Sequence, residues 1–388
     1  MSKDLKGKKS SIATMRAAKR FSRRTLLKNA AVLGSAAAAA PIFVKKPFAA
    51  SGELDVIIWS NYLTEDFIEK FTDETGITVN YTPLGSNEEL LNKLKASKGR
   101  GFDIISPTLN RKGQWEPLQL TQPWDLTKIT NLTNVDDAFV KASAAWTWGG
   151  GQHHVPHIWG TEAMSWRTDM YTTEYGKLSL GDLWIPEMKG KIQGRPHSMM
   201  AGIGRYLAEK GDLPPFNEAY ENEEKMRKIW EGITAFAVEH KPWVKSFWND
   251  HVTQKTNFMQ NGVVIGQTWD GPAIELMKEG APVQYMAPKE GAFAWLDGLC
   301  MPTGAKNIDE AYELLNHIYT KEAAAGAAIA TGYNGVVSGA AELLDGPSKA
   351  AFQSAYPDDA LAKLWWWPDE PQWYAEIRAE YRDKFVAA

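Results

Sequence analysis

The sequence has almost no cysteine and, in its main part, no long apolar segment. Cys300 is the one cysteine among 388 residues, which excludes an internal disulfide and a zinc site built from several cysteines. After residue 50 there is no run of eighteen apolar residues, so we expect no membrane-spanning helix there. With 44% hydrophobic and 23% charged residues, the chain can bury a substantial core. Its length predicts two or three globular units.

Common catalytic motifs are missing as well. The sequence contains no G-x-S-x-G elbow, no H-E-x-x-H helix and no G-x-x-x-x-G-K-[ST] loop. The strongest sign of an enzyme is the group of His153, His154 and His157, since imidazoles are good zinc ligands. However, His154 would point away from the other two on an extended strand, and no acidic residue follows at short spacing. An exported metal-dependent hydrolase that uses these histidines is therefore kept only as the alternative function. Our main expectation is a protein without a metal or a cofactor.

Positive charge is concentrated in the first fifty residues. Residues 1–50 contain twelve Lys and Arg against one Asp, whereas the whole chain has a net charge of −4. The remaining chain is therefore strongly acidic, which argues against nucleic acid as a partner and suits a cationic ligand.

The N-terminal segment has the pattern of an export signal. Arg23 and Arg24 precede an uncharged, alanine-rich stretch at 29–44, which is shorter than the ~20 residues needed to cross a bilayer. Small residues follow at Ala49 and Ala50. The pattern resembles a twin-arginine signal. It predicts residues 1–50 as a signal and a mature protein that works in the periplasm.

The mature chain reads as alternating strands and helices. Short β-rich runs at 54–59, 77–81 and 102–105 are separated by helical patterns that begin near Thr64 and Asn87. Later strands are predicted at 261–266 and 293–297, and an amphipathic helix at 308–319. This alternation predicts an α/β fold. Because ligands of such sheets bind at the carboxyl ends of strands, the polar and aromatic residues that follow the strands are candidate ligand contacts.

An ordered series of short motifs resembles the spermidine/putrescine-binding proteins, which are periplasmic receptors of ABC importers. The motifs run through nearly the whole mature chain, at 59–62, 74–77, 86–90, 102–105, 155–160, 183–190, 288–291, 295–297, 302–307 and 332–333.

This resemblance implies a two-lobed periplasmic-binding-protein fold with the ligand between lobes that are joined by crossing strands. We predict lobe 1 at 51–158 plus 297–341, and lobe 2 at 159–296 plus 342–388. Such receptors close around the solute by hinge motion. A hinge-closing receptor needs no second copy, so we expect a monomer.

The resemblance also implies an aromatic cleft with a carboxylate anchor. Ring faces attract cations, and Asp297 matches the carboxylate with which the family binds an amine. Together with neighbouring polar positions, the predicted ligand-binding residues are Trp59, Ser60, Asn61, Tyr62, Thr108, Arg195, His197, Trp269, Asp270, Trp295, Asp297 and Tyr333.

Several positions depart from the family pattern. Asn61 replaces a Glu, Pro272 replaces an Asp, and the segment at 194–198 replaces an acidic stretch with one that contains Arg195 and His197. Most carboxylates for a second and third amine are therefore missing, and a buried amine without a partner would be costly. Asp270 and Glu162 are candidate substitutes, and Arg195 could instead be a solvated loop residue.

These observations predict an extracytoplasmic receptor that delivers a small cationic or zwitterionic ligand to a membrane permease. The ligand is polyamine-like, or is a single-headed or quaternary amine that could also carry an anionic group facing Arg195 or His197. A chemosensory receptor of the same fold would have the same sequence features.

Overall fold

The computed structural model describes residues 52–388, so the predicted export signal lies outside the described residues. The strands are β1 (Glu53–Trp59), β2 (Thr78–Leu84), β3 (Ile104–Ile105), β4 (Thr121–Gln122), β5 (Thr147–Trp148), β6 (Gly151–Gln152), β7 (Val155–Arg167), β8 (Ile192–Gly194), β9 (Val244–Phe247), β10 (Ile265–Trp269), β11 (Val283–Met286), β12 (Phe293–Leu299), β13 (Met301–Pro302), β14 (Asn334–Gly335) and β15 (Trp365–Trp366). The α-helices are α1 (Glu65–Thr75), α2 (Asn87–Ser97), α3 (Lys112–Trp115), α4 (Asp137–Ser143), α5 (Pro196–Glu209), α6 (Glu223–His240), α7 (His251–Met259), α8 (Asp270–Lys278), α9 (Ile308–Ile318), α10 (Lys321–Thr331), α11 (Gly346–Ala355) and α12 (Gln372–Ala387).

Local capping signals explain where the first helices begin and end. The Thr64 hydroxyl accepts a hydrogen bond from the backbone N–H of Phe67 at the start of α1, and Gly76 ends that helix with a φ of 77°. A glycine is favoured there because it has no Cβ to clash in the left-handed region. Ser86 caps α2 in the same way as Thr64 caps α1. The predicted order of strands and helices in this part of the chain is confirmed.

Two larger sheets organise the described residues, beside the two-stranded sheets β4-β13 and β5-β6. The first is parallel, with the order β2-β1-β3, and the second contains eight strands around β7. The thirteen-residue strand β7 pairs antiparallel with β12, so that Trp295 lies opposite Gly160 and Asp297 lies opposite Ile158. The predicted α/β architecture is confirmed.

The large apolar side chains form two major clusters, one with each of these sheets. The first draws on residues within 54–158 and 296–340, and the second on residues within 164–293 and 374–385. The lobe boundaries proposed from the sequence remain a prediction. The strands β7 and β12 contribute to both clusters, so they connect the two halves.

Two predicted elements differ from the structure. The strand expected at 261–266 begins only at Ile265 and extends to Trp269, because 261–264 form a turn and extended chain that bring Asn257 and Val263 together. The helix expected within 181–186 is a short 3-10 helix, Leu180–Trp184, in which the Ser179 and Asp182 side chains form a capping box. Among residues 52–388, no helix is both long and apolar enough to cross a membrane.

Gly298 in β12 offers a test of how tightly the crossing strands pack. A Cβ at this position would fall against the His154 imidazole and the Val155 carbonyl oxygen, well inside van der Waals contact. We therefore expect Gly298→Ala to lower the free energy of unfolding by about 1–3 kcal/mol, the usual cost of overpacking. Urea denaturation measures the change.

Gly326→Ala is the matched control. Gly326 lies within α10, and no heavy atom lies within 4 Å of a Cβ added there. This change should stabilise the protein by roughly 0.4–1 kcal/mol, since alanine restricts the unfolded chain. Equal unfolding midpoints for Gly298→Ala and the wild type would contradict the packing described for β12.

Candidate functional site

A cavity of about 150 Å³ lies where the carboxyl ends of several strands meet. Trp59 ends β1, Thr108 follows β3, and Trp269 ends β10. Trp295 and Asp297 occupy alternate positions of β12, so their side chains share a face of the strand. The fold thus gathers residues that are up to about 320 positions apart in the sequence, from Trp59 to Arg378, around one space.

Asp297 is the central carboxylate of this cavity. Its side chain is 4% exposed. The Tyr62 hydroxyl donates to Oδ2 at 2.6 Å, and the Thr108 hydroxyl donates to Oδ1 at 2.6 Å. Asn87 fixes Thr108 in turn, through bonds to its hydroxyl and its backbone N–H. Each carboxylate oxygen can accept a further bond, so Asp297 is held in place and still able to bind a donor.

Burial sets the protonation of Asp297. The loss of water raises the pKa of this carboxyl to about 7, although the bonds from Thr108 and Tyr62 and the charge of Arg111 lower it in part. A cation placed beside Asp297 would favour the ionised form. The carboxylate is therefore suited to bind a positively charged group as it loses its proton.

Aromatic rings form much of the wall around Asp297. The Tyr333 ring centroid lies 5.9 Å from that of Tyr62 and 5.3 Å from that of Trp295, both edge to face. Trp295 can lie over β7 because residue 160 is glycine, where a Cβ would meet the indole ring. Trp59 and Trp269 complete the wall. The ring faces provide negative potential that attracts cations.

Ten of the twelve predicted ligand-binding residues line this cavity, and two do not. The ten are Trp59, Ser60, Tyr62, Thr108, Arg195, His197, Trp269, Trp295, Asp297 and Tyr333.

Asn61 and Asp270 lie outside the cavity lining. Asn61 is exposed and adopts a left-handed conformation with a φ of 71°, which asparagine tolerates in turns. Asp270 is fully buried and accepts hydrogen bonds from the Tyr356 hydroxyl and the Asn334 amide. Its carboxyl therefore accepts hydrogen bonds within the protein interior and does not line the cavity. Burial raises the pKa of this carboxyl to about 7.

Glu162, which the sequence offered as a substitute carboxylate, does line the cavity. It lies on β7 opposite Trp269 and Phe293, and its Oε1 accepts a bond from Gln267 at 2.9 Å. Burial raises the pKa of Glu162 to about 7, with a partial opposing effect from the Ser198 hydroxyl, the Arg195 charge and the Gln267 amide.

Sequence reasoning missed a group of ion pairs at one side of the cavity, in which Arg111, Arg378 and Glu370 are buried and Glu88 is half exposed. Arg111 Nη1 lies 3.0 Å from Glu370 Oε2, and Arg378 Nε lies 2.6 Å from Glu370 Oε1. Glu88 approaches both arginines at 3.5 and 3.2 Å. Partial loss of water opposes ionisation of Glu88, but the charges of Arg111 and Arg378 prevail and lower its pKa to about 2. Only the position of Arg111, shortly after a strand end, was a sequence signal for this group.

The three neighbouring histidines do not form a metal site. The His153 ring contacts Thr121 and Trp148, His154 contacts Ser143, and His157 packs edge-on against Tyr62. Burial lowers the pKa of both His154 and His157 to about 3. Within residues 52–388, no group of three or more His, Cys, Asp or Glu side chains is arranged to hold a metal ion.

Comparisons with known proteins agree with the geometry. The chain is 28% identical over 373 residues to the spermidine/putrescine-binding periplasmic protein of Escherichia coli, covering 95% of this chain and 99% of the relative. It is also 28% identical over 283 residues to the putrescine-binding periplasmic protein PotF of the same organism, covering 68% of this chain and 72% of the relative. The resemblance predicted from the sequence motifs is confirmed.

A solved structure and a family model extend the comparison. A structure from Listeria monocytogenes, described as a spermidine/putrescine ABC transporter, superposes with a TM-score of 0.74 at 25% identity, covering 87% of this chain and 99% of that one. Residues 66–356 match the model of the bacterial extracellular solute-binding proteins. These relatives bind solutes and are not enzymes, so the histidine-based hydrolase is not favoured. The chain belongs to the family of bacterial extracellular solute-binding proteins.

Proposed function

We propose that this protein is the periplasmic receptor of an ABC importer, that it binds a small amine in the aromatic cavity, and that it delivers the amine to a membrane permease. The observation that carries the proposal is the buried carboxylate of Asp297 among aromatic rings. A buried acid without a positive partner is unfavourable, and a bound ammonium group would provide that partner. The printed names of the relatives, which bind spermidine or putrescine, support the same class of ligand.

The size of the cavity favours a short ligand. A cavity of about 150 Å³ can hold a molecule of roughly the size of benzene. Putrescine or another short amine is closer to this size than spermidine. The candidates are therefore a short polyamine, a single-headed or quaternary amine, and a zwitterionic amine. We expect the receptor to act as a monomer, since a receptor that closes around its solute by hinge motion needs no second copy.

Export is part of the proposal. The twin-arginine pattern at Arg23 and Arg24 predicts transport to the periplasm. The relatives from Escherichia coli are named as periplasmic proteins, which supports the same compartment. A fusion of residues 1–50 to a reporter, compared with the same fusion carrying Lys at both positions, would test the signal.

Calorimetric titration against spermidine, putrescine, choline and zwitterionic amines tests the ligand class. At least one short amine should bind, and Asp297→Asn should weaken it by about 2–5 kcal/mol, the usual cost of removing one partner of a buried charge pair. Asp169→Asn is the control, because Asp169 pairs with Arg167 away from the cavity. If the Asp297→Asn variant binds every amine with the affinity of the wild type, Asp297 is not the carboxylate that binds the amine. Tight binding of spermidine would refute the preference for a short ligand.

The pH dependence of binding gives a second prediction. Asp297 has a pKa of about 7 in the free protein, so its ionised fraction rises roughly tenfold between pH 6 and pH 8. Affinity for choline, whose charge does not change with pH, should therefore rise as the pH increases over this range. Calorimetry in buffers of matched ionic strength measures the change.

Asp270→Asn provides a control for this pH dependence. Its carboxyl also has a pKa of about 7 but lies outside the cavity lining. Asp297→Asn should weaken the pH dependence and leave at most the contribution of Glu162, the other cavity carboxyl with a pKa of about 7, whereas Asp270→Asn should preserve the profile. If Asp270→Asn instead removes the pH dependence of binding and Asp297→Asn keeps it, the titrating group is Asp270.

A further inference from the structure

One aromatic face of the proposed site is already covered by a cation of the protein. The Arg195 guanidinium carbon lies 5.3 Å from the centroid of the Trp269 ring, and both side chains line the cavity. A ligand ammonium could reach this face only by displacing Arg195 or by lying beside a like charge. The Trp269 end of the cavity is therefore unsuited to a second ammonium group.

Arg195 also differs from the other arginines of the cavity in having no close acidic partner. Arg111 and Arg378 share Glu370 and Glu88. Among residues 52–388, the Arg195 side chain forms no hydrogen bond and no ion pair within 4.0 Å. Three guanidinium groups thus face two paired carboxylates, which leaves one positive charge on the cavity wall without a direct partner.

Glu162 does not take the role of that partner. It lies near enough to influence Arg195 electrostatically, but the two groups form no ion pair within 4.0 Å. Its Oε1 is bonded to the Gln267 amide, and its burial keeps the carboxyl partly protonated near neutral pH. A strong, fully charged acceptor for Arg195 is therefore missing from the described part of the wall.

The backbone adds positive potential at the same place. Arg195 is the N-cap of α5, a fourteen-residue helix with Pro196 at its first position, and no side chain caps this end. The first N–H groups of a helix carry partial positive charge and favour anions. The fork of an arginine side chain matches a carboxylate with two parallel hydrogen bonds.

We propose that the cavity has an anion subsite at Arg195 and that its ligand is an amino acid with its amine and carboxylate at opposite ends. The amine binds at Asp297, and the carboxylate binds Arg195 and the start of α5. This inference rests on the proposed amine receptor, and it replaces the polyamines in the names of the relatives by a ligand with one positive and one negative end.

Titration with three matched ligand series tests the subsite. The series are straight-chain ω-amino acids of three to six carbons, the α,ω-diamines of the same lengths, and the corresponding monoamines. At the best length, the amino acid should bind at least about tenfold more tightly than the monoamine, since a charge-assisted hydrogen bond adds roughly 1.5–3 kcal/mol. The diamine should bind no better than the monoamine.

Variants of Arg195 assign the effect to this side chain. Arg195→Gln should reduce the affinity for the amino acid to that of the monoamine and should improve diamine binding. Arg195→Lys keeps the charge but loses the fork, so it should retain part of the preference. Arg227→Gln is the control, because Arg227 forms an exposed pair with Glu380 outside the cavity. Its ligand ranking should equal that of the wild type.

The outcomes separate this inference from the proposed function. Tighter binding of a diamine than of any amino acid by the wild type would overturn the subsite, and so would equal losses for all three series in Arg195→Gln. If Asp297→Asn weakens monoamines in that case, the amine receptor still stands. If Asp297→Asn changes nothing while Arg195→Gln abolishes amino acid binding, the anion subsite stands and the carboxylate anchor fails.

Thermal unfolding of the ligand-free protein gives a reading that needs no ligand. Functional groups without partners commonly cost stability, so Arg195→Gln should leave the melting temperature unchanged or raise it. A fall of several degrees would show that Arg195 has a structural role and would overturn the subsite.

Discussion

The site depends on the removal of one carboxyl group, that of Asp297, from water. An acid in this position is stable only if neighbouring donors or a positive charge compensate for lost hydration. The protein provides two hydroxyl donors, from Tyr62 and Thr108, which hold the group without neutralising it. The incomplete compensation shows in its raised pKa. The surrounding structure keeps this carboxyl buried and oriented, and among residues 52–388 no positive charge forms an ion pair that would neutralise the ionised form.

The long antiparallel pair of β7 and β12 provides that support. Their register places Trp295 over Gly160 and Asp297 beside Ile158, and the pair contributes to both apolar clusters. Alternation along β12 directs the ring and the acid toward the cavity, while Leu296 between them is buried on the other face. The strands β7 and β12 therefore carry binding residues and also connect the two apolar clusters. A change in the packing of either cluster would shift the binding residues on these strands.

The parts of the fold that the sequence could predict depend on local signals. Thr64, Gly76 and Ser86 mark helix ends through contacts within a few residues, and alternation along 293–297 predicted the strand that carries Trp295 and Asp297. Asp270 looked equivalent because it also follows a strand. It faces the interior instead, because Tyr356 and Asn334, more than sixty positions away, supply its donors. The ion pair between Glu370 and Arg111 was equally hidden, since it joins segments about 260 positions apart.

That separation has a consequence for how the protein is made. Gly113 and Asp369 are hydrogen-bonded across 256 positions, and the neighbouring Arg111 and Glu370 form part of the cavity wall. During synthesis, Arg111 leaves the ribosome long before its acidic partner exists. A nascent chain therefore acquires a complete binding surface only after residues 367–378 have been translated and have docked.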